Sequence, residues 1–317
     1  MKYNMNFRTQ IPISKSSNPM DYSSRVVSLG SCFAVNISQK LEYFKFQNYC
    51  NPYGILFHPL AIEKAIDFAL RQKEFTAEDL FFHNEQWHSY DVHSDLSHAN
   101  PEVVLQSLNE ITKVMHSQLV YATHVIITLG TAWVYQNVES NHIVANCHKV
   151  PQKQFKKELL TVEQVRKSLK NIIFKLQEVN PTLQIIFTVS PVRHIKDGFV
   201  ENQQSKAHLI AAIHETMKEG VTYFPSYEIM MDELRDYRFY TEDMIHPSVV
   251  AIDYIWERFS NSWIEDEANK IMTKVDDIQK GLRHRPFNPD SAGHQKFKLG
   301  LTKKINDLKV QYPLMKF

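Results

Sequence analysis

The chain has 317 residues, room for one α/β core with insertions or for about two domains. Apolar residues make up 43% and charged residues 22%, with a formal net charge of +1, so a globular protein is expected and neither nucleic acid nor an anionic membrane is implied as main partner. The three cysteines, Cys32, Cys50 and Cys147, are odd in number and lack metal-ligand spacing, which argues against a disulfide framework and suits a reducing compartment. Met1 to Ser17 is polar, without an apolar core of secretion-signal length, and no later run approaches a membrane span; the expected location is the cytoplasm.

The first informative stretch is Val26 to Ala34. Val26 to Leu29 has the continuous, β-branched character of a strand buried on both faces, and Gly30 supplies the freedom for a sharp turn. Phe33, Ile37, Leu41 and Phe44 then recur at helical spacing. This strand, elbow and helix place Ser31 and Cys32 at a helix N-terminus, where free N–H groups and the helix dipole stabilise an anion and lower a thiol's pKa. The same pattern also fits a Ser cap with a small buried Cys.

Asn51, Pro52 and Gly54 suit a type I turn in a surface loop, with N–H groups near Gly54 available to a site, and Pro59 opens the next helix. Between Phe81 and His98, aromatic residues alternate with four histidines. Their spacing of five aligns them on neither a helix nor a strand, so no metal site is expected. Trp87, His88, Asp91 and His93 suit a substrate-facing loop instead.

Asn100 with Pro101 starts another helix. His124 to Leu129 is a second buried strand, ending at Gly130 and followed by Thr131, Ala132 and Trp133. Thr161 and Gln164 form a capping box before a long amphipathic helix. A third strand breaks at Pro191, with Ser190, Arg193 and His194 beyond it. A helix over about 203–219, closed by Gly220, precedes a fourth strand at Val221 to Phe224. Strands alternating with helices imply a parallel sheet, with ligands at the carboxyl ends of its strands. Asp243 and His246, three apart in one loop, suit a carboxylate that orients an imidazole base.

Together these stretches resemble the GSCFA family, named for the Gly-Ser-Cys-Phe-Ala motif that Gly30 to Ala34 matches. Residues 51–59, 128–135, 188–194 and 223–248 resemble it as well, so the likeness spans roughly 21–263. That family is similar in turn to the SGNH, or GDSL-type, hydrolases, which cleave esters with a Ser and an Asp-x-x-His pair. The resemblance implies a flavodoxin-like α/β/α sandwich with a parallel sheet over 21–263. A mostly helical insertion at about 47–120 and a C-terminal helical extension at 264–317 complete the expected organisation. Cys32 falls at the nucleophile position, with Ser31 the alternative. Gly54 falls at the second-block glycine and Gly130 at the third-block glycine. Asp243 and His246 keep the Asp-x-x-His pair. Where SGNH enzymes carry an asparagine amide, this chain has Ala132, and loss of one such donor costs about 3 kcal/mol of transition-state stabilisation. Asn36 and Asn51, close to the motifs, are candidate replacements.

The resemblance points to an acyl hydrolase acting on a small-molecule or glycan ester, with removal of an acetyl or other short acyl group from a carbohydrate as the narrower expectation. Trp133, Trp87, His93 and His194 join the expected substrate-binding residues. No cofactor is implied. An acyltransferase with the same residues is the close alternative; a glycan-binding or assembly module without catalysis is the other, motivated by Ala132 and Trp133. In the lysine-rich C-terminal segment, Ile271, Val275, Ile278 and Leu282 form one stripe and Phe297, Leu301, Ile305 and Leu308 another. These stripes cover either the core or a second subunit of a homo-oligomer.

Overall fold

The apolar strands align in register as one parallel sheet in the computed structural model, which describes residues 9–317; Met1–Arg8, part of the polar stretch behind the expected cytoplasmic location, lie outside the described residues. In chain order the first half holds β1 (Arg25–Gly30), α1 (Cys32–Tyr43), β2 (Gln47–Cys50), α2 (Pro59–Leu70), β3 (Phe81–His83), β4 (Gln86–His88), α3 (Pro101–Val120) and β5 (His124–Leu129). The second half holds β6 (Trp133–Asn137), β7 (Ile143–Val144), β8 (Phe155–Leu159), α4 (Val162–Val179), β9 (Gln184–Val189), α5 (Phe199–His214) and β10 (Val221–Phe224). A short α6 (Ser226–Glu228) and the longer α7 (Val249–Trp263), α8 (Asp266–Arg283) and α9 (Ala292–Gln311) complete the chain.

The central sheet has the order β10-β9-β5-β1-β2, all pairs parallel. Counting only these strands along the chain gives 2-1-3-4-5, the flavodoxin-like order, which reverses direction between β1 and β5. Alternate strand residues face opposite sides. Val27, Leu29, Ile127 and Phe187 join one core with α2 to α5, while Val26, Ile126, Ile186 and Phe224 join another with α1, α7 and α8. Both faces are covered, giving three α/β/α layers.

Local signals account for several boundaries. Asn100 Oδ1 accepts the Glu102 N–H at 2.9 Å to start α3, and both halves of the Thr161–Gln164 box are formed at α4. Gly220, in contrast, does not close α5. The helix ends at His214, where the Thr216 hydroxyl donates to Ile213 O at 2.8 Å, and Gly220 (φ +75°) turns the chain into β10.

Two further differences concern segments where the sequence pattern predicts no strand. Gln47–Cys50 is the fifth sheet strand, an edge strand whose polar composition is accommodated because Asn48 Oδ1 accepts from the Ser28 hydroxyl at 2.9 Å. Residues 133–159 form a separate antiparallel sheet, β7-β6-β8. In the C-terminal segment Ile271, Val275, Ile278 and Leu308 are buried in the chain's own second core.

Candidate active site

The site lies where the sheet order reverses. At the end of β1 the chain turns on Gly30 (φ +126°), where a Cβ would come within 2.1 Å of the Thr128 carbonyl oxygen. Only glycine fits. Asn51 Oδ1 accepts the Gly30 N–H at 2.8 Å, the Leu56 N–H donates to Gly30 O at 3.0 Å, and the Ser31 N–H donates to Thr128 O at 3.0 Å. These bonds fix the elbow against β5 and the 51–56 loop.

Ser31 and Cys32 occupy different environments. Ser31 is fully buried at 0% exposure beside Gly130, and its Oγ has no hydrogen-bond partner among the described residues. Cys32, the first residue of α1, lines a cavity of about 580 Å³ together with Phe57, Trp133, His194 and His246. Larger hollows exist elsewhere, one of about 1000 Å³ by the amino ends of β9 and β10 and one of about 710 Å³ against α1, α7 and α8, but neither is lined by a cysteine. Burial pushes the Cys32 thiol up, against the pull of the Lys206 ammonium and the N–H groups of Cys32 and Phe33. The helix N-terminus therefore acts in the expected direction but is outweighed, and a base is needed to make the thiolate.

His246 is an exposed residue of the loop before α7, with Nδ1 2.6 Å from Asp243 Oδ2. Asp243 Oδ1 accepts from the Thr241 hydroxyl at 2.6 Å and from the N–H groups of Ile245 and His246 at 2.8 and 3.0 Å. The Thr241 hydroxyl and the His246 backbone and ring hold this carboxyl well below the usual range. The pair is thus a fixed carboxylate orienting an imidazole whose Nε2 is left for other work. Cys32 and His246 line one cavity, yet among the described residues no hydrogen bond joins them.

Lys206 is the functional candidate that motif reading missed. Its side chain is 1% exposed, and Nζ donates to Gly130 O at 2.8 Å and Ser190 O at 2.7 Å, joining the segments that follow β5 and β9. Burial lowers its pKa to about 7, opposed by the attraction of Cys32. The signal was present in the sequence: with Leu209 and Ile213, Lys206 falls on the apolar stripe of α5. His194 lines the same cavity, its N–H held by Asn202 Oδ1 at 2.9 Å. Burial, then Lys206 and His246, lower its pKa to about 3, so it is a neutral imidazole.

The remaining expected site residues divide. Trp133 lines the cavity, with its Nε1–H donated to Glu201 O at 3.2 Å and Lys157 4.5 Å above its ring. Gly130 and Asn51 act beneath the site, by approach to Ser31 and by holding Gly30. Gly54 does not fit the role of oxyanion donor: its N–H is bound to Asn51 O at 2.8 Å and it backs onto His93. Trp87 and His93 do not line the cavity. Trp87 sits on β4, bridged to His98, and His93 Nδ1 accepts from the Asp95 N–H at 3.3 Å. Trp87 packs against the first core, and the His93 N–H is tied to Tyr53 O at 3.0 Å.

The profile of the GSCFA family matches residues 25–259, and that of the GSCFA domain protein, C-terminal domain, matches 275–317. The chain belongs to the GSCFA family. No curated protein sequence matches it. Among solved structures, a carbohydrate esterase family 3 protein from Talaromyces cellulolyticus aligns with 52% of this chain and 67% of its own, at 8% identity and a TM-score of 0.28. A superposition that loose carries no argument. Among the described residues, no helix of this GSCFA protein is long and apolar enough to cross a membrane.

Proposed function

We propose that this GSCFA protein is a cysteine-dependent acyl hydrolase acting on ester bonds. The observation that supports this most is that Cys32 and the Asp243-oriented His246 line one cavity at the reversal point of the sheet. His246 Nε2 takes the thiol proton, contacts of this kind tightening as substrate binds. The thiolate adds to the ester carbonyl; as the C–O bond breaks, His246 returns the proton to the departing alcohol. Water then attacks the thioester with His246 again as base, releasing a carboxylic acid and restoring the thiol.

Donors to the oxyanion come from the start of α1, where Cys32 and Phe33 are the first two residues and the helix leaves its N–H groups without intrahelical partners. An SGNH-type asparagine has no counterpart, since Ala132 is buried with its N–H bound to Ser205 Oγ at 2.7 Å. A carbohydrate hydroxyl as the alcohol half is the narrower reading, resting on the SGNH resemblance.

The test is hydrolysis of a panel of p-nitrophenyl esters by wild type and three variants. Activity is expected to vanish in Cys32→Ala and His246→Ala and to persist in Ser31→Ala, with a mass increase of one acyl group on Cys32 after rapid quench. Equal activity in Cys32→Ala and wild type would overturn the proposal.

A further inference from the structure

We propose that the Cys32 cavity seats an apolar acyl group well beyond acetyl in size, against a wall supplied by the second sheet; the proposal rests on the acyl-hydrolase reading above. The cavity holds about 580 Å³. An acetyl group, comparable to about two waters at roughly 30 Å³ each, would leave most of it unfilled. Cavities of several hundred Å³ with largely apolar walls are typical of sites that enclose a sizeable ligand.

Many of the wall's polar groups are already engaged, the Tyr135 hydroxyl and the Asn146 side-chain N–H being left over among the described residues. Trp133 and Tyr135, two apart on β6, share one face of the strand, and Val144, Ala145 and Cys147 continue the lining. Val144 O accepts from His58 Nε2 at 3.1 Å, and the N–H groups of Ala145 and Asn146 donate to Tyr90 O at 2.8 and 3.4 Å. Asn146 Oδ1 accepts the His148 N–H at 2.8 Å, while the Trp133 N–H and indole N–H go to Thr131 Oγ1 at 3.0 Å and Glu201 O at 3.2 Å. Burial pushes the Cys147 thiol up to about 11, keeping it uncharged. A sugar ring would need hydrogen bonds that these groups have already made; an alkyl or aromatic acyl group needs none.

Most of the polar lining comes from other segments. Arg193, His194, Lys196 and Asp197 follow β9, and His246 precedes α7. An ester divides in the same way, with an apolar acyl half and a polar alcohol half. On this assignment the second sheet selects the acyl chain and the 193–197 loop receives the alcohol.

The test is kcat/KM for p-nitrophenyl acetate, butyrate, hexanoate and octanoate. Wild type is expected to gain about fourfold per added methylene, from about 0.8 kcal/mol per buried CH₂, until the cavity is full. Ala145→Phe, which adds a ring at a cavity-lining position, is expected to lower the octanoate-to-acetate ratio at least tenfold. Cys32-dependent turnover that falls steadily from acetate to octanoate would overturn the proposal and leave the hydrolase reading intact. Absence of Cys32-dependent turnover on every ester would overturn the hydrolase reading instead. The subsite then stands on calorimetry with octanamide and acetamide: tighter octanamide binding, weakened by Ala145→Phe, supports it, and no octanamide binding sinks it.

Discussion

Asp243 holds His246 at two points: Oδ2 meets the ring Nδ1 at 2.6 Å while Oδ1 accepts the same residue's backbone N–H at 3.0 Å. Ring and loop are therefore fixed by one carboxylate, and the tautomer with Nε2 free to accept a proton is favoured. Asp243→Asn removes the charge that stabilises the imidazolium formed during proton transfer. On the mechanism proposed, kcat falls between about 100-fold and 10,000-fold with KM little changed, and His246→Gln falls as far. Steady-state kinetics on one ester checks both; a change confined to KM would remove His246 from the role of base.

Lys206 bonds to Gly130 O and Ser190 O, and its charge acts on the Cys32 thiol. Lys206→Met leaves two buried carbonyls unpaired, at about 1–3 kcal/mol each, less what is regained by no longer burying a charge. It also withdraws the cation that opposes the upward shift of Cys32. Below about pH 7, where Lys206 carries its charge, Cys32 alkylation is expected to be slower in the variant than in wild type. Stability carries a second signature. The folded pKa of about 7 lies below the ordinary 10.5, so between these values the unfolded chain binds more protons and stability rises with pH. Wild type should gain stability relative to Lys206→Met from pH 7 to 10; a constant difference would contradict a buried, titrating lysine.

Much of this arrangement is legible in the sequence, and the reasons are local. Val26 to Leu29 and His124 to Leu129 read as buried strands because both of their faces are covered, and the Asp243–His246 pair is legible because its partners are three residues apart. What stayed hidden depends on distant contacts. Gln47–Cys50 is polar and becomes a strand only through pairing with β1. Ser31 and Cys32 are adjacent and chemically alike in sequence; only the approach of Gly130 buries one while the cavity receives the other. Lys206 meets its carbonyl partners from 76 and 16 residues away.

Gly30 admits no side chain. A Cβ there would lie 2.1 Å from Thr128 O and 2.8 Å from its carbonyl carbon, both backbone atoms, at a φ of +126° that L residues rarely adopt. Gly30→Ala therefore forces β1 away from β5 at the nucleophile. The backbone strain alone costs about 1–3 kcal/mol, and the clash adds to it. Chemical denaturation is expected to show a loss above about 3 kcal/mol, and a variant as stable as wild type would contradict the β1–β5 register at this turn.

His58 ties acid stability to the cavity wall. It is the N-cap of α2, with Nδ1 accepting the Ala61 N–H at 3.1 Å and Nε2 donating to Val144 O at 3.1 Å, so a neutral imidazole satisfies both partners. A second proton would sit on Nδ1, facing an N–H donor and the positive end of the α2 dipole. Burial lowers its pKa to about 4, against the donation to Val144 that favours the charged form. Between pH 4 and 6.5 the unfolded chain then binds a proton the folded chain does not, and stability falls as pH falls through that window, by up to about 3 kcal/mol. Asn is a good N-cap and does not titrate. In His58→Asn, urea unfolding at pH 7, 6, 5 and 4.5 is expected to give a shallower decline than in wild type, from a lower starting value because Val144 O loses its donor. Because Val144 lines the Cys32 cavity, the same variant should also loosen discrimination among acyl chains. Identical pH slopes in the two proteins would rule out His58 as a buried neutral group.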